Sequence, residues 1–113
     1  MRDRVERSFD GRSWLRLCKS AEVSERHGLR CEVDIETDLA LFRVDGVVRA
    51  VSNVCPHKRE AVIYDGYIEA GLVTCPMHGW VFDIATGKNV ALGGNLACYE
   101  VIERDNFVWL AIS

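Results

Sequence analysis

The sequence contains no run of about five or six like charges, no apolar stretch approaching the ~18 residues of a membrane span, and no internal repeat or low-complexity segment. Its 17 acidic residues outweigh 14 basic ones, for a net charge of −3. Nucleic-acid binding, which draws on a basic face, is therefore disfavoured. The segment Met1-Arg2-Asp3-Arg4-Val5-Glu6-Arg7 is charged and lacks the apolar core of a secretory signal, so a cytoplasmic protein is expected. Helical periodicity is nearly absent: only Ser20-Ala21-Glu22-Val23-Ser24-Glu25 offers a helical turn, with Ser20 as cap and Gly28 as stop. Proline is scarce as well, with two residues, Pro56 and Pro76. At 113 residues the chain suits one compact domain with little room for both a substrate cavity and a catalytic apparatus. A carrier or binding module fits that length better than an enzyme.

What is abundant is β-strand signal. Short runs rich in β-branched and aromatic residues recur at 14–18, 30–35, 39–44, 47–52, 72–74, 80–83, 97–103 and 107–112. Asp45-Gly46 lies between two of them as a two-residue hairpin turn does, and Arg104-Asp105-Asn106 can serve similarly. The expectation is an all-β fold, an antiparallel β-sandwich with a smaller lobe over residues of about 53 to 88. Residues 1 to about 12 read as a polar leader before a domain spanning 13–113.

Five cysteines is an odd number, and without an export signal it argues against a disulfide framework and for metal or free thiol. Two of them head loops of related composition, Cys55-Pro56-His57 and Cys75-Pro76-Met77-His78-Gly79-Trp80, separated by residues 58 to 74. The spacing is C-x-H followed by C-x-x-H. Ligands one or two residues apart reach a common centre only across a tight bend, which the prolines help to fix. Thiolate suits zinc or iron–sulfur clusters and imidazole suits several transition metals, so the donor set alone leaves both zinc and a mixed-ligand cluster open. A zinc finger commonly sets its His pair on a helix and its Cys pair on a hairpin, whereas each loop here mixes one Cys with one His. The mixed order favours the cluster.

At these residues the chain resembles the Rieske-type [2Fe–2S] ferredoxins, whose pattern is C-x-H then C-x-x-H on an all-β scaffold. Asn53-Val54-Cys55-Pro56-His57, Asp65-Gly66, Cys75 to Trp80 with Phe82-Asp83, and Thr86-Gly87 are all similar to that family's framework. The resemblance implies one cluster, with Cys55 and Cys75 on the inner iron and His57 and His78 on the outer iron near the surface. Replacing two thiolates by neutral imidazoles makes the cluster less negative and raises its potential above that of an all-cysteine cluster. Backbone amides around Lys58 to Glu60 and His78 to Trp80 are expected as donors to the sulfurs. The high-potential members carry an extra cysteine in each loop and a serine after the second His-Gly. Glu60, Met77 and Trp80 stand at those places here, which implies the low end of the roughly −150 to +300 mV Rieske range.

The function so implied is a soluble carrier moving single electrons from a flavin-dependent reductase to a terminal oxygenase or similar redox enzyme. It would not catalyse a reaction itself and would need neither nucleic acid, membrane nor small-molecule substrate. The alternatives are the small subunit of an assimilatory nitrite reductase, bound to its large subunit, and a zinc-stabilised interaction module. Cys18, Cys31 and Cys98 lie in strand patterns and read as ordinary buried thiols, and His27 reads as a solvated loop residue. Trp80 and Phe82 read as packing beneath the cluster, while Lys58, Arg59, Glu60 and Met77 should border the docking tip.

Overall fold

The computed structural model describes residues 4–57, 59–77, 79–91 and 93–113. Among the described residues eleven strands run in chain order: β1 Glu6–Phe9, β2 Arg12–Lys19, β3 Leu29–Glu32, β4 Asp38–Val44, β5 Val47–Ser52, β6 Tyr67–Glu69, β7 Leu72–Thr74, β8 Val81–Asp83, β9 Cys98–Tyr99, β10 Val101–Arg104 and β11 Phe107–Ala111. Short 3-10 turns occupy Ser20–Glu22 and Ile63–Asp65. The expected 97–103 strand is divided into β9 and β10, which belong to different sheets. The expected helix over 20–25 shrinks to the first of the 3-10 turns, and Ser20 is its first residue rather than its cap.

Three antiparallel sheets result, with orders β1-β2-β11-β10, β3-β4-β5-β9 and β6-β7-β8. Four of the hairpins turn on two consecutive residues of positive φ: Asp10-Gly11, Asp45-Gly46, Ala70-Gly71 and Asp105-Asn106. That backbone matches the right-handed twist of the strands it joins. The sequence motif at 10–11 is as strong as the one at 45–46, and it places a hairpin where a leader was expected.

In the middle sheet, strand β4 is buried on both faces. Leu39, Ala40, Leu41 and Phe42 are all 0% exposed, and they alternate between two cores. Leu39 and Leu41 join Leu15, Leu17, Val48, Val108 and Leu110 between the first two sheets. Ala40 and Phe42 face the small sheet and meet Val51, Ile63, Val73, Phe82 and Ile84. A strand buried on both sides reads as a continuous apolar run, which is what Leu39 to Phe42 is.

The first sheet also carries aromatic groups on its outer face. Trp14 and Trp109 are 4% and 2% exposed there because arginines lie over the ring system. Arg12 stacks on Trp14 at 4.9 Å, Arg16 on Phe107 at 4.5 Å and Arg104 on Phe9 at 4.3 Å, while Phe9 meets Trp109 edge-on at 5.0 Å. Such stacks use the guanidinium's weak hydration and the negative ring face. The expected polar leader is thus revised: Glu6 to Phe9 pairs with β2, and Phe9 helps to cover Trp109. Its one large apolar side chain left no alternation to read.

One arginine ties the two larger sheets to the loops between them. Arg43 of β4 donates to the Val23 carbonyl at 2.8 Å, the Ser20 carbonyl at 2.9 Å, the Gly46 carbonyl at 3.1 Å and both carboxylate oxygens of Glu103 at 3.0 and 2.8 Å. The bidentate bond from Arg43 holds the Glu103 carboxyl below its ordinary value of 4.5, against an opposing effect of burial. A lowered carboxyl contributes stability that is complete above its unfolded value and is lost as pH falls through the folded one. Glu103→Gln should therefore cost about 1–2 kcal/mol at neutral pH and flatten the loss of stability below pH 4.5, as read by urea unfolding across a pH series.

Candidate metal centre

Two loops project from the small lobe, and their backbones follow one plan. In the first, Val54 bridges to Ala61, the Cys55 N–H donates to the Glu60 carbonyl at 2.9 Å, and the Cys55 carbonyl accepts from the Arg59 N–H at 2.6 Å. In the second, Thr74 pairs with Val81, the Cys75 N–H donates to the Trp80 carbonyl at 2.7 Å, and the Cys75 carbonyl accepts from the Gly79 N–H at 3.0 Å. Each cysteine thus opens a loop closed five residues later. The residue four places on has positive φ in both, 57° at Arg59 and 75° at Gly79. Pro56 and Pro76 occupy the same position in the two loops, with no N–H to satisfy.

Cys55 and Cys75 are 0% and 1% exposed and belong to the same apolar cluster, with Ile63, Val73, Phe82 and Leu96 about them. His57 is exposed, and its ring stacks on Trp80 with centroids 4.6 Å apart and planes 9° from parallel. Trp80, expected as packing beneath the site, is half-buried against it and forms one wall beside the imidazole. His78 and Lys58 lie outside the described residues. Among the described residues no three Cys, His, Asp or Glu side chains gather as a set for one metal ion.

The Arg59 and Gly79 amides, within the stretches expected to supply donors to the sulfurs, bond to the cysteine carbonyls of their own loops. One expectation needs correction. Cys98 is exposed, with its thiol 3.4 Å from the Ala85 carbonyl, because β9 is a two-residue strand at the edge of its sheet. Cys18 and Cys31 are buried in the core between the first two sheets, as read from the sequence.

A third segment joins the site that the sequence pattern did not include, since the lobe was expected to end near residue 88. Asn89 bridges Phe82, its N–H donates to Asn95 Oδ1 at 2.9 Å, and its side chain caps the Ala91 N–H at 3.0 Å. This brings Gly93 and Gly94 against both loops. A Cβ on Gly93 would stand 2.9 Å from Trp80 Cη2, and one on Gly94 would stand 3.1 Å from Pro56 Cβ. The double glycine was a visible signal, but no periodicity linked it to residues 56 and 80. Exposed Met77 and Val90 add apolar surface to the same lobe.

Comparison with known proteins identifies the architecture. Residues 13–100 match the Rieske [2Fe-2S] domain, and the chain belongs to that family. The Rieske-type [2Fe–2S] cluster is accordingly its prosthetic group, in place of the zinc alternative. The chain is 34% identical over 104 residues to the 3-phenylpropionate/cinnamic acid dioxygenase ferredoxin subunit of Photorhabdus laumondii, covering 89% of this chain and 96% of that one. It is also 34% identical over 113 residues to the oxygenase component of dicamba O-demethylase from Stenotrophomonas maltophilia, covering 91% of this chain but only 32% of that longer protein. Among solved structures, the Sphingomonas yanoikuyae B1 ferredoxin superposes with a TM-score of 0.80 at 32% identity, over 88% of this chain and 99% of that one.

The donors fit such a group. Two thiols buried in one apolar cluster at the heads of equivalent loops, with an exposed imidazole beside them, give soft anionic ligands on the inside and a neutral ligand on the outside. The loop geometry also fixes a difference between the two turns. Gly79→Ala places a side chain at positive φ and should cost about 1–2 kcal/mol. Arg59→Gly relieves the same strain but adds unfolded-chain entropy, and should stay within about 0.5 kcal/mol of the parent by thermal denaturation.

Proposed function

We propose that this chain is a one-electron carrier whose cluster is held by Cys55, His57, Cys75 and His78, and that it passes electrons from a flavin-dependent reductase to a terminal oxygenase. The observation that carries this reading is the pairing of equivalent Cys-headed loops, thiols inside and an imidazole outside, on a chain that matches a dioxygenase ferredoxin subunit over nearly its whole length. When bound, the cluster supplies reversible single-electron exchange.

The chain's own residues determine how that exchange meets a partner. Burial of Cys55 and Cys75 keeps water from the thiolates, which slows loss and oxidation of the ligands. His57 lies at the surface, so a partner can approach within a ring's width of a ligand. Trp80 holds that ring by stacking, and Gly93 supports Trp80 from the third loop. Arg59 and Glu60 are exposed beside them and present one charge of each sign, while Met77 and Val90 provide apolar contact. Catalysis by the isolated chain is not part of this reading. The absence of the extra loop cysteines and of the serine hydroxyl at residue 80 supports a potential in the lower part of the family's range.

Visible absorption and low-temperature electron paramagnetic resonance of the dithionite-reduced protein test the proposal directly. A reddish-brown protein that takes up one electron per chain and gives the low-average-g spectrum of histidine-ligated clusters is the expected result, and Cys75→Ser or His57→Ala should abolish it. A colourless protein with one zinc per chain overturns the carrier reading. Firm co-purification with a large flavin and sirohaem protein would replace the oxygenase system by nitrite reductase.

A further inference from the structure

The two loops share a plan but are fastened at their stems by different means. Below Thr74 and Val81, the second loop continues into regular β-ladder, with Val73 opposite Phe82 and Leu72 opposite Asp83. Below Val54 and Ala61 the first loop has no ladder, because the chain turns into the 3-10 segment Ile63–Asp65. Asn53 takes the ladder's place. Its carbonyl accepts from the Ile63 N–H at 3.2 Å, and its side-chain Oδ1 accepts from the Tyr64 N–H at 2.7 Å.

Asn53 is 0% exposed and is the one fully buried polar residue among those described. Its remaining groups are anchored to β4: its N–H donates to the Asp38 carbonyl at 2.8 Å and its Nδ2 to Asp38 Oδ1 at 3.0 Å. Asp38 is in turn fixed from outside, accepting from Arg30 Nη2 at 2.8 Å and Arg30 Nε at 3.2 Å. A chain of charge-assisted bonds thus runs from the surface of β3 through β4 to a residue two places before Cys55. A buried amide bonded through both its oxygen and its nitrogen has one orientation open to it, since a flip would set donor against donor and acceptor against acceptor.

We propose that Asn53 is the positioning residue of the first ligand loop, a side-chain clasp held by Asp38 and Arg30 that fixes where Cys55 and His57 stand relative to the second loop. The consequence for the cluster rests on the carrier reading above. The clasp itself does not, because its bonds are all within the polypeptide. It also accounts for an asymmetry: the second ligand pair is held by a backbone ladder, and the first by isolated backbone bonds together with three side chains whose exchange can loosen it alone.

The test compares Asn53→Ala and Asp38→Asn with Val48→Ala, a core substitution in the other apolar cluster that leaves both stems intact. Amide hydrogen exchange on the full chain should show the Ile63 and Tyr64 amides opening at least tenfold faster in Asn53→Ala, with the Val73 and Phe82 amides of the second stem unchanged. Val48→Ala should leave the ratio between the two stems as in the parent. In the cluster-loaded protein, Asn53→Ala should release iron to a chelator at least tenfold faster than Val48→Ala and broaden the resonance lines of the reduced state. Asp38→Asn, which retains an acceptor for the Asn53 amide, should fall between and keeps the test open if the alanine variant does not fold. Equal acceleration of exchange at both stems, or iron release and line shape in the Asn53 and Asp38 variants no different from Val48→Ala, overturns the clasp. Selective opening of the first stem in a protein that lacks the Rieske spectrum would instead overturn the carrier reading while leaving the clasp standing.

Discussion

Burial of β4 on both faces is the constraint on which the rest of the molecule depends. With Leu39 to Phe42 all excluded from water, β4 must be covered twice, once by the first sheet and once by the lobe. The lobe has three short strands, near the smallest sheet that is stable without further support. It borrows its floor from Ala40, Phe42 and Val51, and the two cysteines are part of the apolar layer that rests on that floor. The two thiols proposed as ligands are thus core residues in their own right. Any loosening of β4 reaches them through packing before it reaches them through bonds.

The site shows how a repeated local solution can carry a difference in chemistry. Both loops close the cysteine in the same ring of backbone hydrogen bonds, so the thiols are delivered in equivalent ways. The histidine sits two residues on in one loop and three in the other, and the extra residue in the second, Met77, is exposed instead of being absorbed by a larger turn. One loop is then fastened by strand pairing and the other by Asn53, with Trp80 and the Gly93-Gly94 segment closing the space between them. The result joins three stretches far apart in the chain through contacts that are mostly backbone or aromatic.

Much of this was legible in the sequence, and the boundary of legibility has physical causes. Strands β2, β4, β5, β7 and β11 emerge from their β-branched runs, and Asp45-Gly46 turns as its composition requires. The two Cys-headed loops announce themselves because soft donors at close spacing are rare in ordinary cores. Strand β1 was hidden because its burial is one-sided and relies on Phe9 meeting Trp109, a partner a hundred residues away. Arg43 and Arg30 read as surface charge until the structure supplies the carbonyls and carboxylates they bind. The exposure of Cys98 could not be read from a run that looked like one strand and is divided between two sheets. Asn53 was visible as part of a motif, but its task depends on Asp38, fifteen positions earlier.

The left-handed residue of the first loop has a further meaning for how such a protein changes over generations. The second loop meets that backbone requirement with glycine, which leaves no side chain to vary. The first meets it with Arg59, whose side chain extends into solvent beside the exposed imidazole. Having already accepted the conformational penalty, this position is free to exchange one long polar side chain for another without reshaping the turn. It gives the molecule a contact that can be exchanged at the rim of the loop, where a lineage can retune which partner it greets while the backbone beneath stays as it was.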